Sequence, residues 1–168
     1  MSASSASAKA APVNTAKVSG RRKLRFNNFD EIQAEAERLA AGPVRQLGNW
    51  SLGQATAHLA RAMTMPLDGS PTRAPLPIRM VVRLMKKRIL TNGVRPGFKL
   101  PKQAADKYVP GPEISNEQGL SELRTSIARL KAEPLRHPHP VLGRLTREEW
   151  DQLHLRHAEL HFSFFVPQ

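Results

Sequence analysis

Four times along this chain an Asn, Ser or Thr is followed three residues later by Glu or Gln, and then by apolar residues at helical spacing. In such a capping box the first side chain accepts a backbone N–H of the opening turn. The Glu or Gln reaches back to the N–H of the cap, so two donors that a helix start leaves bare are satisfied. The pairs are Asn28 with Glu31, Ser51 with Gln54, Ser115 with Gln118 and Thr146 with Glu149. The first helix is expected to begin near Asn28 or Asp30, to bury Phe29, Ile32, Ala36 and Leu39, and to end at Gly42-Pro43. In the second, Leu52, Ala55, Leu59 and Ala62 make the apolar stripe, His58 lies beside Ala55 and Leu59 on the inward side, and Pro66 closes the segment. The third carries Leu120, Leu123, Ile127 and Leu130 and stops at Pro134. The last runs from Thr146 through Trp150, Leu153, His157, Leu160 and Phe164 to Pro167.

With no convincing alternating strand and no internal repeat, these four segments predict an all-α chain folded as a four-helix bundle. Residues 66–114, between the second and third main helices, form a long, Pro-rich, basic insertion. Inside it "IRMVVRLMKKRIL", residues 78–90, reads as a basic helix, too short to span a bilayer. It is expected to pack over the bundle with its lysines and arginines solvated; the rival is an amphipathic segment that touches anionic lipid. Residues 1–20, rich in Ser and Ala, cannot bury enough apolar surface to offset their ordering entropy and are expected to be a disordered N-terminal tail. Residues 21–168 are then one domain. The tail has no apolar core of a secretory signal, and Arg21-Arg22 is followed by "KLRFNNF" rather than a hydrophobic run. The cytoplasm is the expected location.

The formal net charge of +12 would ordinarily suggest nucleic acid or an anionic membrane. Its distribution argues otherwise. Residues 1–25 carry six Lys/Arg and no acid, residues 73–107 carry ten against one, and the remainder is slightly acidic. The few aromatics are not interleaved with the basic runs as a stacking platform would require, so neither nucleic acid nor membrane is the expected partner. A homodimer is left open.

The chain contains no cysteine, which removes disulfides, thiolate metal sites and cysteine nucleophiles, and leaves histidine and carboxylate as metal ligands. Three of its six histidines, His154, His157 and His161, fall within "LHLRHAELHF". At 3.6 residues per turn His157 and His161 are neighbours on one face, close enough for both imidazoles to reach one ion, with His154 one turn earlier. That face also carries Trp150, Leu153 and Phe164, too apolar for the solvent side. His58, inward on another helix, needs a partner there. Three imidazoles from two facing helices make an open arrangement that suits Zn²⁺, Ni²⁺ or Fe²⁺, with water in a remaining position. The alternative is a helix whose histidines are buried and hydrogen-bonded with no metal. No H-E-x-x-H occurs, so a zincin protease is not indicated.

"NWSLGQATAHL" and, near the end of the chain, "HAELH" resemble the DinB-like superfamily, four-helix bundles that include YfiT-type metalloproteins. Within the stretch from about residue 21 to 168, "HPVLGRLTREEWDQLHLRH" looks like a bacterial branch of unknown function. The resemblance implies one histidine ligand on the second helix and an H-x-x-x-H pair on the last, here His58, His157 and His161. Many members carry Gln three residues after the last histidine, where this chain has Phe164. His154 is not a ligand in that pattern; it is a neighbour or substrate contact of the site, or a packed core histidine. His139, in a proline-bracketed loop with His137, either leans over the site or is solvated with it. The implied activity is that of a divalent-metal-dependent hydrolase or a transferase using a low-molecular-weight thiol, acting on a small molecule; the basic surplus around the insertion, by its charge alone, would favour an anionic one. The rival readings are a non-enzymatic member of the fold with a structural or vestigial metal site, and an anion-, nucleic-acid- or membrane-binding module built on the basic tail and insertion.

Overall fold

A computed structural model describes residues 11–71, 73–97 and 108–168. The described residues are mostly helical: α1 (Phe29–Ala41), α2 (Leu52–Asp68), α3 (Leu76–Leu84), α4 (Lys86–Asn92), α5 (Asn116–Ala132) and α6 (Arg147–Phe162). Two three-residue strands, β1 (Val44–Gln46) and β2 (Phe165–Pro167), pair antiparallel, with Arg45 opposite Val166. None of these helices is long and apolar enough to cross a membrane.

The four expected cap residues all stand at helix starts, but only two boxes close. Ser51 with Gln54 and Thr146 with Glu149 exchange both hydrogen bonds. Asn28 accepts the Glu31 N–H at 2.9 Å, while the Glu31 carboxylate takes the N–H of Asn27 instead. Ser115 likewise accepts from Gln118, whose side chain turns forward to Glu122. The apolar stripes then share one core, in which Ile32, Leu39, Leu59, Leu123, Leu130 and Phe162 are almost wholly buried.

Close approach of α2 and α5 sets the layout. A Cβ on Gly119 would sit 2.6 Å from the Gly53 carbonyl oxygen, and one on Gly53 would sit 2.5 Å from the Ser115 oxygen. Only glycine allows the backbones to meet there. Further along, Arg61 pairs with Glu122 at 3.5 Å and Asp68 with Arg129 at 3.0 Å, so the two helices run in the same direction. The chain leaving α2 must therefore travel back along the molecule before α5 can begin. Glu37–Arg124 and Asp30–Lys131 pairs make α1 antiparallel to α5. Arg147 donates to the carbonyls of Leu130 and Lys131, which places the start of α6 at the end of α5.

The structure corrects three expectations. Pro66 does not close the second helix: it lies inside α2, which ends at Gly69 with φ 75°. In the final turn only one backbone bond is lost to the ring, and Pro66 is fully buried, so its packing offsets the loss. The basic segment is two helices, not one. Met85, at φ −87° and ψ 0°, makes a short i→i+3 turn to Val82, and the bend lets both Val82 and Ile89 pack on Leu142, Leu145 and Trp150. The last helix stops at Phe162, and the residues beyond it form β2, where no strand was expected. Strands of three residues are too short for an alternating pattern to show in sequence. As for the expected tail, residues 1–10 lie outside the described residues. The Val13 backbone exchanges two hydrogen bonds with the Asn49 side chain, Thr15–Lys17 form a 3-10 turn, and Val18 packs against the core.

Gly119→Ala should lower stability by about 1–3 kcal/mol in denaturant unfolding, because a backbone carbonyl cannot retreat from the new methyl. Helix propensity alone predicts a gain of about 1 kcal/mol, so the sign of the change decides between them. Gly42→Ala, where nothing lies within 4 Å of the added carbon, is the control and should be near neutral.

Candidate metal centre

His58 sits on the buried face of α2, two turns from the Ser51 cap, and its ring is held from behind. Nδ1 lies 2.7 Å from the Tyr108 carbonyl oxygen. A carbonyl only accepts, so Nδ1 carries the ring proton and Nε2 presents its lone pair forward. From α6, His157 brings its Nε2 to 3.2 Å from that atom, and His161 Nε2 lies 3.1 Å from His157 Nε2. The three ligand atoms all fall within 4.8 Å of one another. Nitrogens at about 2.0–2.1 Å from a tetrahedral Zn²⁺ would be about 3.3 Å apart, close to the two separations made by His157.

Protons cannot settle these contacts. His58 Nε2 has no hydrogen, so His157 Nε2 can satisfy that contact only by donating. It then has no lone pair left to accept from His161. A single N–H on His157 can point squarely at only one of its two neighbours, so at least one contact is left without a well-directed hydrogen bond. A cation at the common centre resolves all of them, and the three histidines could hold a divalent metal ion.

The electrostatics suit that use. Burial pushes the His58 pKa below its ordinary value, only partly offset by the Tyr108 carbonyl. His157 is held well below by desolvation, then by the nearby His161 and His58, and His161 by desolvation and His58. All three are neutral at pH 7, the form a metal requires. His58 is buried, whereas His157 and His161 are half-buried and keep an edge toward solvent.

Trp50 was missed by sequence reasoning as a site residue. Its ring stacks on His161, with centroids 5.3 Å apart and planes 3° from parallel, and it meets His58 edge-on at 4.8 Å. It immediately precedes the Ser51 cap, the position from which an apolar side chain commonly packs back on its own helix. That position signals a buried contact, but not that histidines supply it.

The other two candidates lie behind the cluster. His154 is buried and stacks on Trp150 at 5.5 Å, with no hydrogen-bond partner for Nε2, and desolvation lowers its pKa to about 3. His139 lies against the other side of Trp150, at 5.2 Å, and its Nδ1 accepts the N–H groups of Val141 and Leu142. Burial lowers its pKa to about 4. Neither belongs to the group of three. His137 packs over Gly69 and helps line a depression of about 380 Å³ with Asp68 and Arg73, which shares no residue with the histidine cluster.

A model of one family, described as Protein of unknown function (DUF1569), matches residues 18–168. The chain belongs to this family. No curated protein and no solved structure matches the chain. The DUF1569 match spans α1 to α6, both strands and all three clustered histidines. The family description names no chemistry, so function rests on the geometry.

Histidines that are neutral when folded but titrate near pH 6.5 when unfolded make the unfolded state the stronger proton binder in acid. Metal-free protein should therefore hold full stability above pH 6.5 and lose it as pH falls toward the folded-state values. His154→Phe keeps a buried ring and removes one such group. Between pH 6 and 4 its stability should fall less steeply than wild type, by about 1.4 kcal/mol per pH unit, in urea unfolding with chelator present.

Proposed function

We propose that this DUF1569 protein is a DinB-like four-helix bundle in which His58, His157 and His161 bind a divalent metal, Zn²⁺, Ni²⁺ or Fe²⁺, and that it is a metal-dependent enzyme. The observation that carries this reading is the convergence of three neutral imidazole Nε2 atoms within 4.8 Å, with the proton of one assigned to the opposite side of its ring. Helices α1, α2, α5 and α6 around one core, with α2 and α5 parallel, support the fold assignment.

Three ligands leave at least one coordination position, which distinguishes catalytic from closed structural sites. The half-buried His157 and His161 favour the open reading over a purely structural or vestigial one. A metal in such a site supplies Lewis acidity, either activating water or polarising a bound thiol or carbonyl. The chain's own residues do the rest. Tyr108 fixes the His58 tautomer, and Trp50 braces His161 and His58 with an apolar wall that limits water on that side. The reaction class is hydrolysis or transfer involving a low-molecular-weight thiol. The basic surplus of residues 73–107 favours a small anionic substrate.

Elemental analysis of untagged protein should find one equivalent of metal per chain, and negligible metal in the His58→Ala/His157→Ala variant. Equal, negligible metal in both would sink the proposal. As an independent readout, Zn²⁺ at about 100 times its Kd should stabilise metal-free wild type by about 2.7 kcal/mol. The variant should not respond.

A further inference from the structure

Helix α3 buries none of its residues. Leu76, Ile78, Met80, Val81, Leu84 and Met85 are all exposed, from 46 % for Met85 to 89 % for Leu84. Leu76, Met80 and Leu84 form one row along the helix at i, i+4 spacing; Ile78, Val81 and Met85 form the row beside it. Single exposed apolar residues are ordinary, but six within ten residues are not.

The charge around this face says what can cover it. Residues 73–97 carry seven Lys/Arg and no Asp or Glu. Lys86 is tied to Glu149 at 2.7 Å, but Arg79, Arg83, Lys87 and Arg88 have no carboxylate partner among the described residues. A second copy of the chain would bring the same positive surplus against itself. The segments outside the described residues are no better matched: residues 98–107 carry three lysines against one aspartate, and residues 1–10 a single lysine. Short helix, broad apolar face, basic flank and no acid make the composition of a segment that lies in a membrane interface.

We propose that α3 docks this protein onto an anionic lipid surface, its apolar side chains entering the headgroup boundary while Arg79, Arg83, Lys87 and Arg88 meet lipid phosphates. The backbone of α3 is already helical before docking, so binding does not have to order it. On its other side Val82 packs on the cluster of Leu142, Leu145 and Trp150, which anchors the helix to the body. This proposal takes up the rival to the packed helix with solvated charges, and it is independent of the metal reading.

The test is sedimentation of the full chain with vesicles of phosphatidylcholine, or of equimolar phosphatidylcholine and phosphatidylglycerol. Wild type should bind the anionic vesicles, weakly on raising salt, and bind the neutral ones at least about tenfold less. Leu76→Ser/Leu84→Ser leaves every charge and buried contact in place, and should weaken binding to anionic vesicles about tenfold or more. Arg83→Glu/Lys87→Glu should weaken it similarly. Equal binding of wild type and the Ser variant would overturn the proposal, since charge elsewhere would then suffice. Absence of vesicle binding by wild type would overturn it in favour of an acidic protein partner. Lipid-free self-association abolished by the Ser variant would overturn it in favour of a second copy.

Discussion

Because Gly53 and Gly119 carry no side chains, α2 and α5 meet backbone to backbone and run the same way, and much of the molecule follows from that contact. Parallel helices cannot be joined by a short turn, so the chain between them must cross back along the length of the helices. This crossing gives the Pro-rich, basic insertion a structural reason to exist. It also returns the chain to the start of α2, where the Tyr108 carbonyl comes to lie behind His58. The same excursion carries α3 out on the surface with its apolar rows uncovered, while α4 packs down on α6, where Arg156 lies against Gly93.

At the histidine cluster, one backbone hydrogen bond decides what three rings can do. With the His58 proton held by Tyr108, its lone pair faces His157, and one ring proton cannot point squarely along both His157 contacts. A folded protein tolerates such a group of unpaired nitrogens poorly unless something shared lies among them. Burial keeps the rings neutral and so ready for a metal, at the cost of acid stability. Trp50 adds a flat wall that fixes the plane of His161. Solvent still reaches His157 and His161, which are half-buried.

Much of this was legible in the residues. The capping pairs located the starts of α1, α2, α5 and α6, and their apolar spacing named most of the core, because both signals are local and helical geometry is regular. The i, i+4 spacing of His157 and His161 and the inward place of His58 followed from the same geometry. What was not legible depended on tertiary contacts. Pro66 reads as a terminator, and only its burial in the last turn shows otherwise. The break at Met85 exists because Val82 and Ile89 reach one cluster, which no window of sequence displays. The β1–β2 pair joins residues far apart in the chain, each strand too short to announce itself. Trp50 stands just before a helix cap, a position that does not reveal that its neighbours are imidazoles. The apolar rows of α3 would look the same in sequence whether covered or bare.

The central claim is that one metal ion sits among His58, His157 and His161, and anomalous diffraction from crystals of untagged protein tests it most directly. Data on either side of the absorption edge of the metal found should show one strong peak, about 2.0–2.2 Å from the Nε2 atoms of all three histidines. An empty centre in crystals grown with that metal, or a peak bound by other residues, would contradict the account.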